Sequence, residues 1–483
     1  MKRLIYICCW ILIFSSSVYS AVGDWATYTN MNYAKQLLLK DNFLWVVTTG
    51  GLIKFNLLDN TYQKITNVEG LGGNYLFSLA EDTVGIFWFG AKNGTLTKYD
   101  PEGNLFLRVY KDLSGLNIKY LAPDGDKLWI GSNKGVSLFL IYKNEGEIKE
   151  NYWHFGEIQE NTEVNSVSLS PTKVWVGTVK GVAFAPKDDP NLKDPSRWYS
   201  FISGQKGLTS DTVFSILNVD EDTYIGTKDG VFKFNSIDSS WTFWGLDNLE
   251  VRDLVYNSGK IFAATSWGIY FYENGTWSSR LGNGNLNSVR VDNSNKIWVG
   301  TEGSGISVYA NSSWTNFEID GPPGNIFNKI AIEESGKIWC SNWSGGGSSF
   351  DGSSWIAFQD TLYLLFHRWP WMASVSLDYE GNVWFGSWGD GLFKLDSQGN
   401  WSRYDSSNSE LRPYAGYPLN TVVSDVVVDE SGTKWLANWE GVEGRCVVAL
   451  QNNIWTPYLS TDKNRIKSNL INSLYVSGGS LWI

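Results

Sequence analysis

The chain has 483 residues, a formal net charge of −11, 26 tryptophans and 49 glycines, and 18% of its residues are charged. This composition is typical of an aromatic-rich globular protein and excludes a disordered chain. The acidic balance argues against nucleic acid and anionic lipid as partners, because both require clustered lysine and arginine.

Residues 1–20 predict a secretory signal peptide. Lys2 and Arg3 precede an apolar stretch over 4–14, and small residues before Ala21 suit a cleavage site. We therefore expect an exported protein, either periplasmic, extracellular or at the cell surface. No later stretch of about 18 apolar residues predicts a membrane span.

An apolar phrase built on an aromatic residue recurs along the rest of the chain. Its spacing of 36 to 51 residues is typical of propeller blades. The aromatic residues, in chain order, are Trp45, Trp88, Trp129, Trp175, Tyr224, Phe262, Trp298, Trp339, Trp384, Trp435 and Trp482.

Each unit divides into four short β-type runs separated by Gly, Asp and Asn turns. The segment 420–459 shows this pattern clearly, starting with the nearly all-apolar run "VVSDVVV". No segment after the signal peptide has a sustained helical period. The sequence therefore predicts an all-β protein, a β-propeller of about ten to eleven four-stranded antiparallel blades.

Three segments carry a family likeness, namely 207–235, 283–309 and 375–396. Their pattern of "D-x-x-G-x-x-W-x-G-T", followed by a glycine and an aromatic strand, resembles the two-component regulator propeller repeat. The resemblance implies an exported propeller, either the sensor region of a hybrid histidine kinase that responds to glycans, or a component of type IX secretion and surface attachment.

We predict a division into residues 21–312, a first propeller of seven blades, and residues 313–483, three blades of a second propeller plus an incomplete one. The hypothesis has two parts: the strand around Trp25 closes the first ring, and the strand around Trp314 begins the second. A single ring of ten or more blades is the alternative. Because the last unit stops in its second strand, we expect a fragment of a longer protein with signalling or sorting domains downstream.

The sequence predicts no catalytic residue, metal site or cofactor. The turns before the repeat aromatics contain acids such as Asp292, Glu334, Asp378 and Asp429, which resemble the aspartate boxes of sialidases and are interpreted as turn-forming. The two histidines, His154 and His367, have no partner at metal-ligand spacing.

A second set of tryptophans follows the repeat aromatics, where the second strand turns back. Packing alone favours aromatics on strands, so tryptophans at the strand end indicate a surface for stacking a sugar ring, although covering the cleft between blades is the alternative. An irregular insertion at 360–373 can reach over the same rim. The predicted ligand-binding residues are Trp267, Trp343, Trp388, Trp439, Asp390, Arg368, Trp369 and Trp371.

The sequence thus predicts a non-enzymatic, exported propeller that senses or binds a ligand, either a polysaccharide fragment or a protein. A scaffold of a secretion or attachment system is the alternative, and a propeller-fold glycan hydrolase or lyase is a third reading. An enzyme of that kind requires two unpaired acids close together in the axial funnel.

Overall fold

The structure, a computed structural model, describes residues 26–142, 145–278, 280–282, 284–343, 345–368, 370–460 and 466–483. Within these ranges the regular secondary structure is nearly all strand, and consecutive strands form ten antiparallel four-stranded sheets, of which the ninth and tenth are joined by one short pairing into a single eight-stranded sheet, and a final hairpin. The prediction of an all-β propeller is confirmed. The predicted signal peptide lies outside the described residues, as do Asp24, Trp25 and Trp369.

Each of the first seven sheets consists of four consecutive strands joined mostly by short turns. The first four sheets are β1 Ala34–Lys40, β2 Phe43–Thr48, β3 Leu52–Asn56, β4 Tyr62–Ile65; β5 Leu76–Glu81, β6 Phe87–Ala91, β7 Leu96–Asp100, β8 Leu105–Tyr110; β9 Ile118–Asp124, β10 Lys127–Ser132, β11 Gly135–Ile141, β12 Gly146–Tyr152; and β13 Val164–Leu169, β14 Lys173–Thr178, β15 Gly181–Pro186, β16 Tyr199–Phe201. The next three are β17 Val213–Val219, β18 Asp222–Thr227, β19 Gly230–Asn235, β20 Ser240–Gly245; β21 Val251–Asn257, β22 Lys260–Thr265, β23 Gly268–Glu273, β24 Thr276–Trp277; and β25 Leu286–Val291, β26 Ile297–Thr301, β27 Ile306–Ala310, β28 Ser313–Phe317.

The remaining sheets follow the same order, with one helix inserted between the eighth and the ninth. Their elements are β29 Phe327–Ile332, β30 Ile338–Asn342, β31 Gly346–Phe350, β32 Trp355–Ala357; α1 Gln359–Phe366; β33 Met372–Leu377, β34 Val383–Gly389, β35 Leu392–Leu395, β36 Trp401–Tyr404; β37 Thr421–Val428, β38 Lys434–Asn438, β39 Arg445–Gln451, β40 Ile454–Leu459; and the hairpin β41 Tyr475–Ser477, β42 Ser480–Trp482.

The first seven sheets form a closed cycle through their first strands. β1 contacts β5, β5 contacts β9, and the series continues through β13, β17, β21 and β25, which in turn contacts β1. The Asn287 side chain donates to the Ala34 carbonyl at 2.8 Å, and the Leu37 N–H donates to the Ser288 hydroxyl at 3.3 Å, so hydrogen bonds join the two ends. A contact between β25 and β1 is not expected in a single ring of ten or more sheets.

The hypothesis that the strand around Trp314 begins a second ring is wrong. β28 pairs with β27, with Trp314 opposite Tyr309, and so completes the seventh sheet. The N-terminal segment contacts both neighbouring sheets: Tyr33 forms an antiparallel bridge with Glu302 of the seventh sheet, and the Tyr28 ring lies 4.8 Å from the Phe350 ring of the eighth. The part of the hypothesis that concerns Trp25 lies outside the described residues. The outer strands of different sheets share one aromatic and polar pattern, and this similarity misled the assignment.

The eighth to tenth sheets and the hairpin form an arc in which β29 contacts β33, β33 contacts β37 and β37 contacts β41. The boundary predicted after residue 312 falls inside the β27–β28 hairpin. The division of the chain into a first propeller and a partial second one stays a prediction.

The sheets pack against each other through the repeat aromatics on their second strands. Trp88 lies in one buried cluster with Leu121 on the first strand of the next sheet, and Trp298 lies in another with Leu37, across the closure of the cycle. A tryptophan buries roughly 150–250 Å². The core is therefore a series of wedges between sheets.

Acids in the turns hold several of these tryptophans. A carboxylate six residues before the tryptophan accepts its indole N–H at 2.6–3.0 Å, and in the aspartates the other oxygen accepts two backbone N–H groups of the turn. The acids are Asp82, Asp292, Glu333, Asp378 and Asp429. These hydrogen bonds support the interpretation that the acids form turns. In the eighth sheet, however, the acid that binds the tryptophan is Glu333 and not Glu334.

Replacing Asp378 by alanine is expected to lower the free energy of unfolding by about 3 kcal/mol. The buried Trp384 indole N–H, 2.8 Å from the carboxylate, and the Lys434 ammonium, at 3.2 Å, would both lose their partner. Urea unfolding followed by circular dichroism measures the change. Glu380→Ala, in the same turn but exposed, is the control, and an equal effect of the two substitutions contradicts this role for Asp378.

The loss caused by Asp378→Ala is also expected to depend on pH. Burial alone would raise the pKa of Asp378, but hydrogen bonds from Asn382 and Trp384 and the Lys434 charge hold it below its ordinary value. A carboxyl whose pKa is lowered on folding stabilises the fold above its unfolded pKa of about 3.9, and this contribution is lost as the pH falls further. The difference between wild type and variant should therefore shrink below about pH 4.

Candidate functional site

One backbone position at the end of the second strand recurs in all ten sheets. Its backbone N–H donates to the carbonyl of a residue at the start of the first strand in the same sheet. Examples are Ser266 to Glu250 at 3.1 Å and Trp343 to Ile326 at 3.3 Å. This hydrogen bond fixes the residue at one rim, and we call it the rim position. Its occupants are Thr49, Lys92, Asn133, Val179, Lys228, Ser266, Glu302, Trp343, Trp388 and Trp439.

The three rim tryptophans lie on successive sheets, and their rings form a continuous cluster. The ring centroids of Trp343 and Trp388 are 5.6 Å apart, and those of Trp388 and Trp439 are 5.1 Å apart. Trp371 extends one end, stacked on Trp343 at 5.8 Å. Two tyrosines extend the other end, Tyr414 at 5.9 Å from Trp439 and Tyr417 at 4.6 Å from Tyr414. We call these six rings the aromatic platform.

The insertion before the ninth sheet positions Trp371. His367 caps helix α1 directly after Phe366: it has a left-handed backbone and donates its N–H to the Tyr363 carbonyl at 2.7 Å. The Trp371 carbonyl then accepts the rim hydrogen bond of Trp388 at 2.8 Å, while its side chain is 53% exposed. The chain therefore holds Trp371 by its backbone and leaves its ring accessible.

Arg368 and Asp390, both predicted site residues, form an ion pair at 3.3 Å. Asp390 follows Trp388 by two residues, and its carbonyl accepts a hydrogen bond from Arg403 at 2.8 Å. Burial raises the pKa of the Asp390 carboxyl, although the charges of Arg368 and Arg403 oppose this shift. A half-buried carboxylate, two residues after the rim residue Trp388, thus forms an ion pair with a guanidinium three residues before Trp371.

Trp267, the fourth predicted tryptophan, is not part of the platform. It belongs to the sixth sheet, where Ser266 occupies the rim position, and its own N–H donates to the Thr265 hydroxyl at 3.1 Å. Its ring is 61% exposed and lies 5.7 Å from the Arg280 guanidinium. The motif "TSWG" is one residue out of register with the other three, which explains the difference.

Sequence analysis missed Tyr414 and Tyr417, which lie in the long connection between β36 and β37. The Asn438 side chain, next to Trp439, holds this connection: it accepts the Arg412 N–H at 2.7 Å and donates to the Arg412 carbonyl at 2.9 Å. The only signal in the sequence is the Tyr- and Pro-rich composition of the segment 412–418, which has no counterpart in other units.

The arginines around the platform all face carboxylates. Arg403 lies 2.9 Å from Asp405, and Arg412 and Arg445 share the two acids Glu410 and Glu443. Together with the pair of Arg368 and Asp390, these four arginines and four acids balance in charge, so none of these arginines is free to bind an anion.

The described residues include no group of three or more His, Cys, Asp or Glu side chains arranged to hold a metal ion. Cys340 is buried, and burial raises the pKa of its thiol to about 11, so that it is protonated at neutral pH. A cavity of about 810 Å³ lies away from the platform, at the outer edge of the fourth sheet, beside Tyr199 and Gln205.

The fold is similar to the folds of solved protein structures. PorZ of Porphyromonas gingivalis, an essential bacterial surface component of the type IX secretion system, is similar with a TM-score of 0.68 at 17% identity; the match covers 90% of this chain and 60% of PorZ. The chain thus spans less than two thirds of the PorZ structure. The predicted resemblance is confirmed at the level of the fold.

Two extracellular domains of hybrid two-component systems from B. thetaiotaomicron are more distant. One has a TM-score of 0.48 at 16% identity, with 95% of this chain and 70% of that chain covered, and the other has 0.40 at 16%, with 97% and 69% covered. No family model matches the chain, and no curated protein matches it in sequence.

Replacing Asn438 by alanine is expected to loosen the connection that carries Tyr414. Amide hydrogen exchange over residues 405–420 should become about tenfold faster, which corresponds to about 1.4 kcal/mol of local stability, because the Arg412 backbone loses both hydrogen bonds. Gln451→Ala, at an exposed residue of the same sheet, is the control. Unchanged exchange in the Asn438 variant would show that other contacts hold the connection.

Proposed function

We propose that this chain is the ligand-binding region of an exported, non-enzymatic β-propeller protein, and that the aromatic platform binds a polysaccharide fragment. The rim position carries the argument. Three successive sheets place tryptophan there, whereas the seven sheets of the closed cycle place small, polar or aliphatic residues at the same hydrogen-bonded position.

Packing between sheets does not require these tryptophans. The seven sheets of the cycle pack without an aromatic ring at the rim position, and the wedge between sheets is filled by the repeat aromatics on the second strands. The three rim tryptophans are only half-buried. Large apolar rings that remain accessible at the same end of adjacent sheets favour binding over packing.

The chemistry of the platform suits a sugar. The C–H face of a pyranose stacks on an aromatic ring, and its hydroxyls require donors and acceptors at the ring edge. Asp390 and Arg368 supply an acceptor and a donor at that edge. Because the neighbouring ion pairs balance, a neutral chain of sugars fits the platform better than a polyanion.

The non-enzymatic part of the proposal rests on three acids of the closed cycle that are already paired with basic side chains. Glycoside hydrolysis requires two carboxyl groups free to act on one bond. In the closed cycle, Asp253 lies 2.8 Å from Arg290, Glu250 lies 2.8 Å from Arg252, and Glu302 lies 2.9 Å from Lys35. Because these acids are already paired with basic side chains, they favour a binding protein over a glycoside hydrolase.

The predicted signal peptide supports export, to the periplasm or to the cell surface. The described residues contain no helix long and apolar enough to cross a membrane. We further propose that ligand binding serves sensing, as the resemblance to propeller sensor regions implies.

A scaffold in a secretion or surface-attachment system is the second candidate. It is favoured by the likeness to PorZ, the one reported relative whose TM-score exceeds 0.5. In that case the platform would hold a protein chain, with aromatic side chains serving as anchors.

The test is isothermal titration calorimetry with soluble neutral oligosaccharides, namely cello-, manno-, xylo- and galacto-oligosaccharides. Wild type should bind at least one of them, and Trp371→Ala should weaken that binding about tenfold or more, since a stacked ring contributes on the order of 1.4 kcal/mol. Trp267→Ala is the matched control, because Trp267 is an equally exposed tryptophan on the closed cycle.

The triple variant Trp343→Ala, Trp388→Ala and Trp439→Ala should abolish binding while urea unfolding shows that the fold persists. Equal affinity of wild type and triple variant would place any ligand elsewhere. Binding to none of the oligosaccharides favours the scaffold, and release of new reducing ends from the bound sugar contradicts the non-enzymatic proposal.

A further inference from the structure

A second residue of each sheet packs on the repeat aromatic, from the fourth strand or its extension, opposite the start of the third strand. Phe317 pairs with Ile306 in this way, and Tyr404 pairs with Leu392. We call this residue the cover residue. In chain order, the cover residues are Ile65, Tyr110, Tyr152, Phe201, Trp244, Leu281, Phe317, Phe358, Tyr404 and Tyr458.

The sixth sheet has the smallest pair of repeat aromatic and cover residue. Eight of the ten cover residues are aromatic, and in seven sheets the centroids of the two rings lie 4.6–6.2 Å apart. The aliphatic cover residue of the first sheet, Ile65, packs with a tryptophan, Trp45. In the sixth sheet, however, an aliphatic cover residue, Leu281, packs with a phenylalanine, Phe262. One ring is therefore missing between the sixth and seventh sheets, and the repeat aromatic is smaller there than in any other sheet.

A cavity of about 710 Å³ opens at this place, lined by both Phe262 and Leu281. The sixth sheet contributes Phe271 to its wall, and the seventh sheet contributes Ile297 and Tyr309. The fourth strand of the sixth sheet, β24, has only two residues, against three to seven in the fourth strands of the other sheets, and so covers little of the cavity from outside. The volume is within the range of roughly 300–1,000 Å³ that is typical of small-molecule sites.

The cavity lies within the closed cycle, where the sixth and seventh sheets each have a neighbour on either side. It is therefore a gap between two packed sheets and not the free edge of a sheet. A flat ring of a ligand would pack on Phe262 as the Trp244 ring packs on Tyr224 in the fifth sheet, at 4.6 Å. The missing ring thus defines the shape of the ligand that fits the cavity.

The charged residues that line the cavity, among those that the structure describes, are both basic. Lys260 lies 3.2 Å from Glu273, which balances its charge. Arg280 lies 5.7 Å from the Trp267 ring and has no carboxylate partner in the described part of the chain. An unpaired guanidinium beside an apolar cavity favours a ligand with an anionic group.

We propose that this cavity binds a small molecule that combines a flat apolar ring system with one anionic group. The ring packs between Phe262 and Tyr309, where other sheets have an aromatic cover residue, and the anionic group pairs with Arg280. The site lies on the closed cycle, away from the aromatic platform, so the proposal does not depend on sugar binding there.

Isothermal titration calorimetry on the full chain tests the proposal, with benzoate and naphthoate as anionic probes, each compared with its uncharged amide. At least one of the two anions should bind as one molecule per chain. That anion should bind about tenfold more tightly than its amide, because only the anion pairs with Arg280. Binding of neither anion overturns the proposal.

Leu281→Phe gives the sixth sheet the cover residue that the seventh and eighth sheets have. The new ring should fill the cavity, so the affinity for the anion should fall about tenfold or more while urea unfolding shows that the fold persists. Phe262→Trp fills the cavity from the second strand and is the independent variant. Leu58→Phe, at a leucine 75% exposed in the β3–β4 turn, is the matched control and should bind as wild type. Unchanged affinity in the folded filling variants would show that the anion binds elsewhere and would overturn the proposal.

Arg280→Gln separates the effect of charge from that of shape. It should weaken binding of the anion about tenfold and leave the affinity for the amide unchanged. Arg108→Gln, at an exposed arginine of the second sheet, should change neither affinity. The proposal is also overturned if Arg280→Gln leaves the affinity for the anion unchanged or lowers both affinities equally.

Discussion

The rest of the structure depends on the contact between the repeat aromatic of one sheet and the aliphatic residue on the first strand of the next. A four-stranded sheet with two apolar faces cannot bury both by itself, so each sheet is stable only between neighbours. Burying one tryptophan removes roughly 150–250 Å² from water, which contributes on the order of 4–6 kcal/mol as an upper bound. The contact between Trp298 and Leu37, which closes the cycle, is of the same kind as the contacts that join the other neighbouring sheets.

This constraint also separates packing from function. Buried positions on the first three strands are needed to fill the space between sheets. In several sheets, an acid in the turn is also needed to bind the indole N–H of the tryptophan. The rim position is fixed by a hydrogen bond from its backbone N–H, which every residue except proline can donate. The side chain at this position can therefore vary without disturbing the fold. Three successive tryptophans there indicate a role other than folding.

The repeat aromatics predicted the sheets because their spacing follows from the one contact that every sheet must make. The order of outer strands was not predictable in the same way: residues 24–29 and β28 have similar patterns, and only pairing with β27 distinguishes them. The sequence predicted the three rim tryptophans because the motif that contains them recurs in three successive units. Trp267 looked equivalent but is one residue out of register. Tyr414 was missed because its place depends on the contact between Asn438 and Arg412, which are 26 residues apart.

The charges of the platform constrain what it can hold. The chain carries a net charge of −11, which repels a polyanion at long range, and the arginines that would attract one nearby are already bound to Asp390, Asp405, Glu410 and Glu443. Attraction at this surface must therefore come from stacking and hydrogen bonds made at contact. The sugar binding that we propose would therefore read the shape of a ligand and the pattern of its hydroxyls, and it would depend little on ionic strength, because the arginines near the platform are already paired.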